Sequence, residues 1–220
     1  MGNALMRELR TNFTAMISKQ GAIMFLCLSI IMITSNGQNL FTYYMIFFGI
    51  LTLGYTEVEV RDRVYISLLS SPCTRKDYVV AKFLGGIIWI IFLFVSGVLL
   101  NMLANKLIPM MCGPINMAGA KMISIYMLLL VELYYLLYFT LGIKFSRIAY
   151  YVIFFIMIIG SSTVASVFDN DDISSELLLK IVKIFSGDIL LNNIILIVLA
   201  GLIITLFTCI SMFIFEKKDL

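Results

Sequence analysis

The sequence predicts an all-α integral membrane protein with six transmembrane helices and both termini cytoplasmic. Three observations predict it. The 220-residue chain is 61% hydrophobic and 13% charged, with a mean hydropathy of +1.03, whereas soluble domains hold about 45–50% apolar and about 25% charged residues. Charge-free runs that can supply the roughly 20 residues of a spanning helix recur along it. The Lys and Arg residues between those runs fall mostly on one side of the resulting topology. Together these features exclude a soluble monomer, a nucleic-acid-binding module and a disordered chain. Histidine is absent. That removes Ser-His-Asp and Cys-His catalysis, His-ligated zinc or haem, and any imidazole proton relay.

The elements follow in chain order within a single transmembrane domain, 1–220. Over 1–19, Leu5, Met6, Leu9, Phe13, Met16 and Ile17 share one face of a 3.6-residue helix, with Arg7, Glu8, Arg10, Asn12 and Lys19 largely off it. The pattern predicts an amphipathic helix in the inner interface; a plain cytoplasmic extension of span one is the competing reading. Residues 20–56 form a 37-residue run without Lys, Arg, Asp or Glu. It is too long for one helix, and Thr34-Ser35-Asn36-Gly37-Gln38-Asn39 breaks it into a hairpin, with span one at 15–35 and span two at 40–56. Span three is expected at 83–105, span four at 122–143 with the single charge Glu132, span five at 148–168 and span six at 189–215. Barrel strands would alternate apolar with polar residues, but 150–159 and 194–206 are apolar on all sides.

With the amino terminus inside, 12 of the 16 basic residues lie on the inner segments, and only Lys106, Lys121, Lys180 and Lys183 lie outside. The basic inner face suits anionic lipid headgroups. The first apolar run starts late, follows Glu8 and lacks a clean cleavage site, so it reads as a retained span. Cys27, Cys73, Cys112 and Cys209 are scattered and form no CxxC pair.

Polar segments carry the functional information. Residues 57–82 hold nine charges, interleaved with Val58, Val60, Val64, Ile66, Leu68 and Leu69. Ser70-Ser71-Pro72 ends a first helix, and Thr74 caps a second, with Asp77 at N3. A plain connection needs about four to six residues. The interleaved apolar positions favour docking to a cytoplasmic protein over a solvated loop. Outside, 169–188 begins with Asp169-Asn170-Asp171-Asp172 and continues with an apolar stripe at Ile173, Leu177, Ile181, Ile184 and Phe185. This is either a helix on or re-entering the outer interface or an ordinary loop helix. Glu132, inside span four, costs at least about 2.5 kcal/mol unless it faces protein or water. Two readings stand for it: a polar point on a substrate path or dimer seam with Tyr135 and Tyr138, or a carboxyl paired with Tyr135 that fixes packing. Tyr134, Tyr135, Tyr138 and Phe139 would line a path or anchor an interface. Gly85, Gly86 and Gly97 allow close helix approach.

The run Leu68-Leu69-Ser70-Ser71-Pro72, then Thr74-Arg75-Lys76-Asp77-Tyr78 through Lys82-Phe83-Leu84, resembles the motif of bacterial ABC type 2 permeases. The closing Phe215-Glu216-Lys217-Lys218-Asp219-Leu220 resembles the tails seen there. Ser71 and Cys73 stand where that family more often has larger aliphatic residues. In size and style the chain is similar to the small permeases of amphipathic-peptide exporters, such as those for phenol-soluble modulins. The resemblance implies a half-transporter in the bacterial plasma membrane that moves an amphipathic or hydrophobic peptide, toxin or antibiotic out of the cell. It implies a second permease chain, as homodimer or heterodimer, and separate cytoplasmic ABC ATPase subunits. It makes part of 57–82 a cytoplasmic coupling helix between spans two and three, with Arg61, Asp62, Arg63, Tyr65, Leu68, Leu69 and Arg75 touching the ATPase. Independently, no GxxxxGK[ST] phosphate loop occurs in the sequence. ATP and Mg would then be bound by the partner ATPase, with no catalytic motif, metal site or cofactor in this chain. A secondary transporter and a non-transporting immunity or anchor protein are the alternatives.

Overall fold

A computed structural model of the chain describes residues 2–17, 40–61, 74–107, 117–169 and 190–217. Six α-helices occupy them: α1 (Gly2–Ile17), α2 (Leu40–Arg61), α3 (Arg75–Leu107), α4 (Met117–Leu141), α5 (Ile143–Asp169) and α6 (Leu190–Lys217). The segments read as spans two to six each fall on one of α2–α6. Nearly all of span one and of the outer amphipathic segment lies outside the described residues. Among the described residues, three stretches are long and apolar enough to cross a membrane, Arg75–Lys106, Met117–Leu141 and Ile194–Lys217, and two shorter apolar ones are Phe41–Gly54 and Phe145–Gly160.

Helix ends depart from the charge-gap boundaries for local reasons. Span three was expected from residue 83, yet α3 starts at Arg75. Thr74 caps it: the Asp77 amide donates to Thr74 Oγ1 at 3.1 Å, and the Thr74 amide donates to Asp77 Oδ2 at 3.3 Å. This reciprocal box satisfies donors that a helix start leaves open. The charged second helix of the polar segment is therefore the first turns of α3, not a separate element. Span four was expected to run to residue 143, but α4 stops at Leu141 because Gly142 takes φ 85°. Only glycine adopts that left-handed conformation without strain. The Gly142 amide donates to the Tyr138 carbonyl at 3.2 Å, and α5 begins at the next residue.

The central helix is α4, which packs against α2, α3, α5 and α6, while α1 lies against α3 and α2. Met127, Val131, Tyr134 and Tyr135 on α4 are fully buried. The outward faces are apolar instead of polar: Ile197 is 69% exposed on α6 and Ile159 62% on α5. Water would not tolerate such faces over whole helices, and lipid does. Several helix hydroxyls are satisfied within their own helix, as a bilayer favours, whereas the buried Tyr135 hydroxyl and Ser211 Oγ have no hydrogen-bond partner among the described residues. Thr52, Ser96, Ser124, Thr140 and Thr208 each donate to the carbonyl four residues back at 2.8 Å.

The α4–α5 contact depends on Gly160. Tyr126 donates its hydroxyl to the Ile156 carbonyl, and a Cβ at position 160 would overlap that hydroxyl and ring. Gly160→Ala must therefore expel the Tyr126 ring as well as break its hydrogen bond. The expected loss is about 1–3 kcal/mol, larger than for Tyr126→Phe, which removes the bond alone. Thermal unfolding of both purified variants in detergent checks the order.

The amino-terminal helix corrects the predicted amphipathic face. Met6, placed on the apolar face, is 68% exposed, whereas Glu8 and Asn12, placed off it, are buried. The buried stripe is Ala4, Glu8 and Asn12, spaced i, i+4, i+8, with Leu5 and Leu9 half-buried beside it. The face is rotated because Glu8 has a buried cation to meet.

Candidate functional site

The polar and aromatic groups converge at one end of the bundle, where α3 begins, α4 ends and α6 ends. It is the end predicted to be cytoplasmic. Lys82, two turns into α3, is only 1% exposed. Its Nζ donates to Glu8 Oε1 at 2.8 Å, joining α1 to α3 across 74 residues of sequence. The ammonium also stands 6.0 Å from the centre of the Tyr135 ring. Burial of both partners makes the link geometrically demanding, because each charge has left water and depends on the other.

Glycines make this contact possible. A Cβ at position 85 would stand 2.7 Å from Glu8 Cγ. One at position 86 would stand 2.9 Å from Glu132 Oε1 and 3.1 Å from the Tyr135 ring. The two neighbouring glycines of α3 thus receive carboxylate side chains from two different helices. Gly97, further along, receives the Tyr44 and Phe41 rings of α2 at 3.0 and 3.1 Å, and the Tyr44 hydroxyl meets Ser96 Oγ at 2.8 Å. The close approach expected at all three glycines is present.

An aromatic cluster locks the same end. Phe139 of α4 lies 5.8 Å from Tyr78, 6.3 Å from Phe83 and 5.1 Å from Phe215 of α6, centre to centre. Phe83 in turn lies 6.0 Å from Tyr135. These separations are in the range where aromatic pairs attract. At the surface, Lys76 pairs with Glu216 at 3.1 Å, both exposed. That pair is worth at most about 1 kcal/mol, but it joins the start of α3 to the end of α6.

The predicted site residues fall into two groups. Arg61 is the last residue of α2, and Arg75 is the first of α3, half-buried. Asp62, Arg63, Tyr65, Leu68 and Leu69 lie outside the described residues. Arg61 and Arg75 thus bracket the undescribed stretch in which the rest of the coupling group lies. Glu132 and Tyr135 are 0% exposed and Tyr138 is 7% exposed, all inside the chain's own bundle. Neither Glu132 oxygen has a hydrogen-bond partner among the described residues, so the expected bond to Tyr135 is not made. Sequence reasoning missed Lys82 and Glu8. The available signal was the isolation of Lys82 between Val79-Val80-Ala81 and Phe83-Leu84-Gly85-Gly86, a lone charge in an apolar run.

Comparison with known families decides the class. The family model described as ABC-2 family transporter protein matches residues 9–217. The chain belongs to the ABC-2 transporter family. The resemblance carried by Leu68 to Leu84 is thus supported along nearly the whole permease. No curated protein and no solved structure matches it significantly. As an ABC-2 permease, the chain is the membrane component of a transporter, and the exposed apolar surfaces of α5 and α6 fit that role.

Proposed function

We propose that this permease is the membrane half of an ATP-driven exporter. It spans the bacterial plasma membrane six times with both termini cytoplasmic. Residues 57–82 dock on a separate cytoplasmic ABC ATPase that binds ATP and Mg, and a second permease chain completes the pathway. The substrate class is an amphipathic or hydrophobic peptide, toxin or antibiotic. The observation that carries the coupling reading is the continuity of α3. It begins at Arg75, within the charged segment, and runs unbroken through 33 residues to Leu107, about 50 Å at 1.5 Å per residue. A displacement applied at the docking segment therefore enters a spanning helix directly. The aromatic cluster around Phe139 and the Lys76–Glu216 pair carry it onward to α4 and α6. Closure of the ATPases would rock these helices as a body, the two-state motion typical of coupled interfaces.

The experiment is co-expression with the ATPase encoded beside the gene, followed by capture on a tagged permease. Reversing Arg61 and Arg63 to Glu while replacing Leu68 and Leu69 by Asp should abolish co-purification and leave membrane insertion intact. Persistence of the complex with those four substitutions removes the coupling assignment.

A further inference from the structure

Two glutamates from other helices stand beside the glycines that follow Lys82 on α3, and one of them, Glu8, holds its ammonium. On a helix, the neighbours of position 82 on its own face are positions 85 and 86, whose Cβ atoms would lie about 5–6 Å from that of Lys82. Both are glycines, and the space of each absent side chain is taken by a glutamate from another helix. Glu8 Cγ would be 2.7 Å from a Cβ at 85, and Glu132 Oε1 2.9 Å from a Cβ at 86. Glu8 thus substitutes for an i+3 partner and Glu132 for an i+4 partner. Glu8 is paired with Lys82, at 2.8 Å. Glu132 is fully buried with neither oxygen partnered among the described residues, and a buried carboxyl in that condition is costly.

We propose that Glu132 is a second binding site for the Lys82 ammonium, and that Lys82 exchanges between Glu8 and Glu132. The two seats are not equivalent. Glu132 is fixed in the central helix α4, whereas Glu8 belongs to the amino-terminal helix, whose exposed Arg7 and Arg10 already sit at the surface. When Lys82 moves to Glu132, Glu8 can regain water only if α1 leaves α3. Exchange of one ammonium therefore releases or recaptures the amino-terminal helix. Within the transporter proposed above, a push on the start of α3 would drive the exchange; the exchange itself is a property of this chain alone.

The test uses the full-length chain in detergent, with dicyclohexylcarbodiimide as probe and mass spectrometry of the Glu132 peptide as readout. This reagent modifies buried carboxyls that lack a counter-ion, and an ammonium pair blocks it. Wild-type Glu132 should be modified. Glu8→Gln should lower that modification several-fold, because Lys82 moves over. Glu8→Gln with Lys82→Met should restore it, since the competing ammonium is gone. Gly85→Ala, which displaces Glu8 without changing any charge, should lower modification as Glu8→Gln does, and serves if Glu8→Gln fails to fold. An unmodified wild-type Glu132, or modification unchanged by both Glu8→Gln and Gly85→Ala, overturns the proposal. So does a fall that Lys82→Met does not reverse. Because no ATPase takes part, a failure here leaves the exporter reading standing, and failure of that reading leaves this result intact.

Discussion

Replacing Lys82 by Met should destabilise the permease by about 3–5 kcal/mol, the cost of leaving a buried partner without its counter-ion. Lys82 is 1% exposed and the Glu8 side chain 8%, so water cannot relieve the remaining charge without movement of α1. The loss has a distinctive companion. Replacing both members by apolar residues, Glu8→Leu with Lys82→Met, should recover most of the stability, because paired charges removed together cost little. Limited proteolysis of α1 should follow the same order: accelerated in Lys82→Met and close to wild type in the double variant. Thermal unfolding in detergent measures the first effect and protease sensitivity the second. Equal losses in single and double variants would make the site a packing contact and not an ion pair.

The second large effect is expected at Phe139. It is 1% exposed and is the ring on which Tyr78, Phe83 and Phe215 converge. Truncating a core phenylalanine costs about 3–5 kcal/mol in soluble proteins, as lost transfer energy plus a cavity. In a bilayer the transfer contribution shrinks, because lipid is as apolar as the protein interior. The cavity contribution persists, so Phe139→Ala should fall at the low end of that range. Its functional loss should exceed its stability loss, since it separates α3 from α4 and α6 at the end where force would enter. Phe139→Leu, which keeps most of the volume, should preserve more of both. Unfolding temperatures and ATP hydrolysis of the assembled complex, measured on the two variants together, decide the matter.

Much of the architecture was legible in the sequence. Charge-free runs located the helices α2–α6, because lipid-compatible stretches must be continuous. The ends were less legible, because a charge does not stop a helix. Arg75, Lys76, Asp77 and Lys82 all belong to α3, whose start is set by the Thr74 cap. Span four ended early on Gly142, whose positive φ no hydropathy pattern records. The face of α1 was misplaced for a related reason. Apolar periodicity assigns Glu8 and Asn12 to water, whereas Glu8 is buried against a partner 74 residues away. The site was half legible. Glu132 stood out as a charge within a span, and the glycines were read as close contacts. Which side chains fill those glycine positions is a matter of three-dimensional register between α1, α3 and α4, and no local pattern encodes it.

On the proposed function, this chain passes the work of a separate ATPase into a membrane bundle through residues 57–82. The most direct test of that coupling is ATP hydrolysis in proteoliposomes containing the permease and the ATPase encoded beside its gene. The wild-type permease should change the hydrolysis rate of the ATPase, and the Arg61, Arg63, Leu68 and Leu69 replacements should abolish that change while the protein still inserts. A hydrolysis rate that is the same with wild-type permease, with the replaced permease and with none would contradict the coupling.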